Sequence, residues 1–267
     1  MPTEARVGGA IARFEALTGG NHGATVPQPP VGPAGKANVT TACSQPSEFT
    51  VAGVYPPQED SQLLVDVMAS RTPPLGLRVA DLCTGSGFVA IAAAARGAAS
   101  VSAFDLCSKA VRFARANAVA SGVDVDVHLG HWSRAAEFRP FDLVVSNPPY
   151  VPAPEEGDDE PISQLAGPPT AYDAGPDGRM VLDPMCEWAP DLLAPNGRIL
   201  LVHSEFSGIE RTVAALRAKG LRSEVVTSQR IPFGPVMTAR AAWLERTGQL
   251  EAGRRYERIA VIEAVKR

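Results

Sequence analysis

The chain has 267 residues, 45% hydrophobic and 20% charged, enough to bury a full core in one folded unit with extensions. A formal charge of −4 lacks the basic footprint of a protein held to nucleic acid through the phosphate backbone. Four scattered cysteines, Cys43, Cys83, Cys107 and Cys186, contain no C-x-x-C pair and exclude a zinc-finger pattern, so no metal site is expected. They read as reduced thiols of a cytoplasmic protein. No apolar run nears the ~20 residues of a membrane span, and "MPTEARVGGAIARFEAL" has no secretion core.

In chain order, residues 9–18 predict a short helix, and the Pro- and Gly-rich run from 21 to 46 predicts a loop or arm. Residues 1–48 are therefore expected to be an extension or flexible arm ahead of a domain over 49–267. The segment "SQLLVDVMAS" (61–70) predicts an amphipathic helix. From residue 77 strands and helices alternate: strands over 77–82, 100–106, 123–129, 141–147, 197–205 and 258–265, with helices between them, one opened by Ser108 as cap. That order predicts a mostly parallel sheet with helices on both faces. Two excursions break it. The one over 151–178 leaves the carboxyl end of a strand, where ligands bind in open α/β sheets, and is a substrate-loop candidate. The other, 231–255, precedes the last strand.

Two stretches carry chemistry. "VADLCTGSGFVA" puts Asp81 near the end of the first strand, then Cys83, Thr84, Gly85, Ser86 and Gly87 before a helix. Such a turn lets a ligand approach the backbone and the helix N-terminus. Asp105 ends the second strand 24 residues later, placed to accept hydrogen bonds from both hydroxyls of a ribose. The second stretch, "FDLVVSNPPYVP", stops a buried strand at Asn147-Pro148-Pro149-Tyr150. Consecutive prolines cannot continue a sheet, because neither has an amide hydrogen.

Together the turn and the Pro-Pro corner resemble the class I S-adenosylmethionine-dependent methyltransferases that act on planar nitrogens. The segment "VYPPQEDSQLLVD" (54–66) is similar to the one ahead of the core in the HemK (PrmC) family, and "AYDAGPDGRMVLD" (171–183) to the stretch after the corner in its shorter archaeal and eukaryotic branch, whose members modify release-factor glutamine. The resemblance covers roughly residues 50–205. It implies a Rossmann-like fold with a seven-stranded, mostly parallel sheet, and S-adenosyl-L-methionine as cofactor. By position it implies Asp81 and Gly85 at the cofactor's amino-acid moiety, Asp105 at the ribose and Ser61 near the methionine end, with His131 at the place of the adenine-binding acid, Trp132 as its aromatic neighbour, and Cys83, Thr84, Gly87 and Leu106 also in the cofactor site. Asn147 would bridge cofactor and substrate. Two departures stand out. Cys83 occupies a glycine position, which predicts about 1 kcal/mol of backbone strain. His131 replaces an acid, so cofactor affinity is expected to weaken below pH ~6.5 as the imidazole loses its acceptor nitrogen.

The corner then has a chemical use. An amide or aromatic amine is a weak nucleophile because its lone pair is delocalised. The Asn147 side-chain oxygen and the Pro148 carbonyl can bind both amine hydrogens and fix the nitrogen, with Pro149 making the corner rigid and Tyr150 serving as a flat wall. The leading expectation is methylation of a protein glutamine amide, a translation release factor being the substrate the resemblance suggests. The alternatives are an exocyclic base amine (adenine N6 or guanine N2), a small-molecule amine, and a non-catalytic cofactor-binding subunit. The low pI argues against the nucleic acid. The shorter branch works with a small zinc-binding activator subunit covering an apolar sheet edge, so such a partner is expected too. The acidic "EEGDDE" (155–160) and basic "RRYER" (254–258) read as solvated surface, and His22, His128 and His203 form no ligand set.

Overall fold

A computed structural model describes residues 49–154, 162 and 166–267. The predicted helix over 9–18, the arm, Cys43, His22 and the acidic loop lie outside the described residues. Seven strands form one sheet: β1 (Arg78–Leu82), β2 (Ser100–Asp105), β3 (Asp126–Leu129), β4 (Phe141–Ser146), β5 (Leu193–Ser204), β6 (Arg222–Pro232) and β7 (Tyr256–Val265). Their order is β3-β2-β1-β4-β5-β7-β6. Only β7 runs antiparallel, to both β5 and β6. The helices are α1 (Glu59–Arg71), α2 (Phe88–Ala95), α3 (Ser108–Ala120), α4 (Leu182–Leu192), α5 (Ile209–Ala218) and α6 (Pro235–Arg246). Among the described residues no helix is long and apolar enough to cross a membrane.

The central strands are continuous apolar runs because both faces are covered. Val79, Leu143, Val145 and Leu200 from the sheet pack with Leu64, Met68, Val89, Ala90 and Ala93 from α1 and α2. Register then fixes the site. Leu82 stands opposite Phe104 of β2 and Ser146 of β4, so the carboxyl ends of three strands lie side by side where the strand order reverses. The Ser146 hydroxyl donates to the Leu82 carbonyl at 2.6 Å, tying the tips of β1 and β4.

Three expectations need correction, and one strand, β6, corresponds to no strand located in the sequence. Ser108 does not cap α3; Cys107 stands at the N-cap without a side-chain bond, and Asp105 accepts the Cys107 N–H instead. The third strand is only Asp126–Leu129. The stretch before residue 231 contains β6, whose pattern is polar because most of it is exposed beside β7. The 231–255 excursion contains α6, which buries Val236, Met237, Trp243 and Leu244 against Tyr150, Val151 and Tyr172, next to the Pro-Pro corner. Burying each such side chain stabilises by about 1.5–3 kcal/mol, so α6 is an anchored wall and not a surface excursion.

Candidate active site

The glycine turn folds around its own acids. Asp81 is 1% exposed, and its Oδ2 accepts from the Thr84 hydroxyl at 2.6 Å and the Ala90 amide at 3.0 Å, which braces the turn against the first turn of α2. Asp105 accepts from the Gly85 amide and the Cys107 amide, both at 2.8 Å, so the tips of β1 and β2 are stitched by one carboxylate. Burial pushes the Asp81 carboxyl up to about 7, against the Thr84 and Ala90 bonds that lower it and with the nearby Asp105 charge adding to the rise. Asp105 is raised as well, first by burial. No cation pairs with either acid among the described residues. A buried and a half-buried carboxylate without a counter-ion fit a ligand that brings positive charge.

Around them the backbone is open. Gly85 has φ +55, and a Cβ there would meet nothing within 4 Å, so the main chain is bare toward the ligand side. Cys83 does adopt the left-handed conformation, φ 62, as the strain argument requires. Its thiol is pushed well above its ordinary value by burial and by Asp105 and Asp81, which makes it a packing group and not a nucleophile. Leu106 is 44% exposed immediately beyond Asp105, an apolar surface of the kind an adenine would cover. These residues fit a cationic nucleoside such as S-adenosylmethionine.

His131 departs from its expected behaviour. It caps the short helix Trp132–Glu137, its Nδ1 accepting the Ser133 amide at 3.3 Å and lying 2.8 Å from the Ser133 hydroxyl. Burial lowers its pKa to about 4, so it stays neutral well below pH 6.5. The expected loss of affinity below pH ~6.5 through this ring is therefore not supported by its surroundings. Trp132 is 5% exposed and packs edge-on against Trp188, with ring centroids 6.3 Å apart.

The corner is latched to the start of α1. Asn147 donates from Nδ2 to the Ser61 hydroxyl at 3.1 Å, which turns the other end of the amide, the Oδ1 acceptor, away from Ser61. Tyr150 donates its hydroxyl to Asp60 Oδ2 at 2.9 Å, and Asp60 Oδ1 accepts the Ser61 amide at 2.6 Å. The 54–66 segment and the Pro-Pro corner thus meet in one hydrogen-bonded cluster. Asn147, Pro148, Pro149 and Tyr150 line a pocket with Tyr55, Asp60, Ala171 and Tyr172. Pro148 is buried while Asn147 and Pro149 are half-buried, so the corner faces an opening.

The substrate-loop candidate returns to the corner. Val151 and Ala174 exchange backbone hydrogen bonds with Tyr172 and Val151, forming a parallel bridge from Val151 to Asp173. Gly178 has φ +70 and lies so close beneath the corner that a Cβ would sit 2.4 Å from the Tyr150 carbonyl oxygen. Next to it, Arg179 is 2% exposed and donates to the carbonyls of Ser207 and Gly208, the Thr212 hydroxyl and Asp183. Arg240 of α6, also 2% exposed, holds the Pro152 carbonyl and Asp173. Sequence reading picked out neither arginine, nor Asp60 as a partner of Tyr150. Asp60 carried a signal, since it stands in the "EDS" of the quoted segment; the arginines carried none.

This sheet, with its cofactor turn and Pro-Pro corner, defines a class I methyltransferase. Comparison with known proteins agrees. A family model described as "Methyltransferase small domain" matches residues 43–159. A protein of Methanocaldococcus jannaschii, provisionally named as a protein N5-glutamine methyltransferase, is 30% identical over 192 residues, spanning 70% of this chain and 91% of that one. The release factor glutamine methyltransferase of Gloeobacter violaceus is 36% identical over 178 residues, and there the match spans 65% of this chain and 62% of that longer one. Among solved structures, the E. cuniculi Mtq2-Trm112 complex, described as responsible for methylating the eRF1 termination factor, superposes with a TM-score of 0.54 at 21% identity, covering 80% of this chain and 99% of that one. The last likeness is one of fold. The chain belongs to the HemK family of glutamine N5-methyltransferases, enzymes that use S-adenosylmethionine.

Proposed function

We propose that this chain transfers a methyl group from S-adenosylmethionine to the side-chain amide nitrogen of a protein glutamine, with a translation release factor in the cytoplasm as acceptor. The observation that carries the reading is the Asn147–Ser61 bond, which leaves Oδ1 as the atom offered to a donor beside the rigid Pro148 carbonyl. A primary amide presents two N–H donors in one plane, and two fixed acceptors hold it with its π face free for in-line attack. The flat rings of Tyr55, Tyr150 and Tyr172 suit the planar group. No metal set or covalent intermediate is needed by this chemistry.

The cofactor supplies an electrophilic methyl group on a positively charged sulfur. Asp105 would take the ribose hydroxyls on its remaining lone pairs, and Leu106 would lie against the adenine with His131 and Trp132 beyond it. Gly85, Gly87, Cys83 and Thr84 would frame the amino-acid end, with Ser61 beside the methionine carbons. Asp81 would act through its charge, its Oδ2 being bonded already to Thr84 and Ala90. A pH prediction follows from that difference. A carboxyl that ionises at about 7 is mostly neutral at pH 5.5, so cofactor Kd should weaken as pH falls from 8 to 5.5. Calorimetry should give the same profile in His131→Asp and a flattened one in Asp81→Asn. A profile that vanishes in the histidine variant would assign the effect to the imidazole instead.

We also propose a small zinc-binding activator subunit along the edge strand β3. Support comes from the apolar residues at that edge: Leu129 and Phe138 are 49% and 38% exposed. Co-purification from the native cell tests it, and full activity of the isolated chain would argue against it. The acceptor class is tested by incubating the chain with radiolabelled cofactor and cell extract, digested in parallel with protease and nuclease. Loss of label to protease supports a protein acceptor; loss to nuclease contradicts it.

A further inference from the structure

Glu257, the second residue of β7, is 4% exposed. One of its carboxylate oxygens is bonded by the Ser204 hydroxyl, and the other, Oε2, has no hydrogen-bond partner. A buried carboxylate oxygen left without a donor calls for an explanation. Glu257 lines a cavity with Tyr55, Gln58, Asp60, Tyr150 and Met237. Three of these walls, Tyr55, Asp60 and Tyr150, also line the pocket of the Pro-Pro corner. The two cavities therefore adjoin through the Tyr150–Asp60 hydrogen bond of 2.9 Å. The cavity has room for a water molecule, and polar groups of the number a buried water needs surround it.

The reaction creates a need for such a group. The amide nitrogen begins with two hydrogens and ends with one. As the nitrogen–carbon bond forms, the carbon–sulfur bond breaks and its electron pair stays on sulfur, so one proton must leave the nitrogen. Neither an amide oxygen nor a peptide carbonyl can keep it, because both are very weak bases. The opening of the corner is where the amide enters, and the walls behind it include Tyr150 and Tyr172, both buried, so with the substrate seated the proton needs another path out.

Resting on the glutamine reading above, we propose that Glu257 is the proton acceptor of methyl transfer, reached from the amide pocket through Asp60 and the adjoining cavity, and that it passes the proton on to solvent. Glu257 is a positioning group for the proton's exit, since it acts through Asp60 and does not touch the amide. Its surroundings suit the role. Burial is the main cause that raises its carboxyl to about 7; the Asp60 and Glu205 charges add to the rise, and Ser204 and Arg254 oppose it. Tyr55 and Tyr150 face it with phenols held protonated, and Arg230 of β6 stacks on Tyr256, the preceding residue. A carboxylate of this strength accepts a proton at neutral pH and releases it again.

The test compares wild type with the isosteric Glu257→Gln under single turnover, saturating in cofactor at each pH, on a glutamine peptide. Wild-type rate should rise to about pH 7 and then level off. Glu257→Gln should lose that limb and fall about 10²-fold at pH 8, with peptide KM and cofactor Kd unchanged. A variant that keeps the wild-type rate and profile would overturn the proposal. Thermal unfolding supplies a readout independent of turnover. A carboxyl raised on folding contributes least stability above its folded value, so the glutamine variant should gain more Tm over wild type at pH 8 than at pH 5. Equal gains at both would also overturn it. If wild type methylates a nucleic-acid amine and not the peptide, the glutamine reading fails alone, because that nitrogen also loses a proton and the same comparison is run on it.

Discussion

Asn147→Ala should leave cofactor Kd within about twofold of wild type and lower kcat by about 10²-fold or more, the range for removing one preorganised contact to a transition state. Asn147 is fixed from behind by Ser61, through a bond that uses only its Nδ2, so in the proposed clamp the side chain would meet the acceptor amide with its oxygen. Alanine deletes that acceptor and leaves the Pro148 carbonyl and both cofactor acids in place. Isothermal titration with the cofactor and stopped-time methylation of a glutamine peptide separate the two effects. Wild-type turnover in the variant would remove the clamp from the mechanism. Asn147→Asp is an instructive companion, because it keeps an acceptor but loses the Nδ2 donor toward Ser61 and adds a charge.

Arg179→Met should destabilise the fold by about 3 kcal/mol, read as a lower denaturant midpoint at unchanged slope. The size comes from which contacts are lost. Asp183 is 51% exposed, so its ion pair with Arg179 contributes little. The carbonyls of Ser207 and Gly208 and the Thr212 hydroxyl, by contrast, lose their donor inside the protein. Arg179→Lys should recover only part of the loss, since an ammonium cannot span all these acceptors as a guanidinium fork does. The same substitution frees the chain at Gly178, which packs beneath the Tyr150 carbonyl, so peptide KM should rise while cofactor Kd holds. An unchanged denaturation midpoint would show that Arg179 is not the anchor of this wall.

The parts of the molecule legible in the sequence are those written in local pattern. Apolar runs such as 141–146 give the central strands, and turn chemistry gives Gly85 and the left-handed backbone at Cys83. The resemblance added the residues of the corner and their pairing with a cofactor turn. What stayed hidden depends on contacts between distant segments. Asp60 and Tyr150 are 90 residues apart, and Arg240 reaches Pro152 across 88. Nothing in the periodicity of α6 announces that it walls the corner, because its apolar residues would serve any core. β6 failed for the opposite reason: an edge strand with a polar face resembles a loop. His131 was misjudged because burial, which a sequence does not display, holds its ring neutral.

The central claim is that the two acceptors at the corner hold a glutamine side chain for methylation. Its most direct test incubates the chain with methyl-labelled cofactor and a purified release factor, then locates the label by tandem mass spectrometry. The account predicts a single methyl group on the side-chain nitrogen of one glutamine, absent from the product of Asn147→Ala over the same time. A methyl group found on lysine, arginine or the backbone, or only on nucleic acid carried with the substrate, would contradict it.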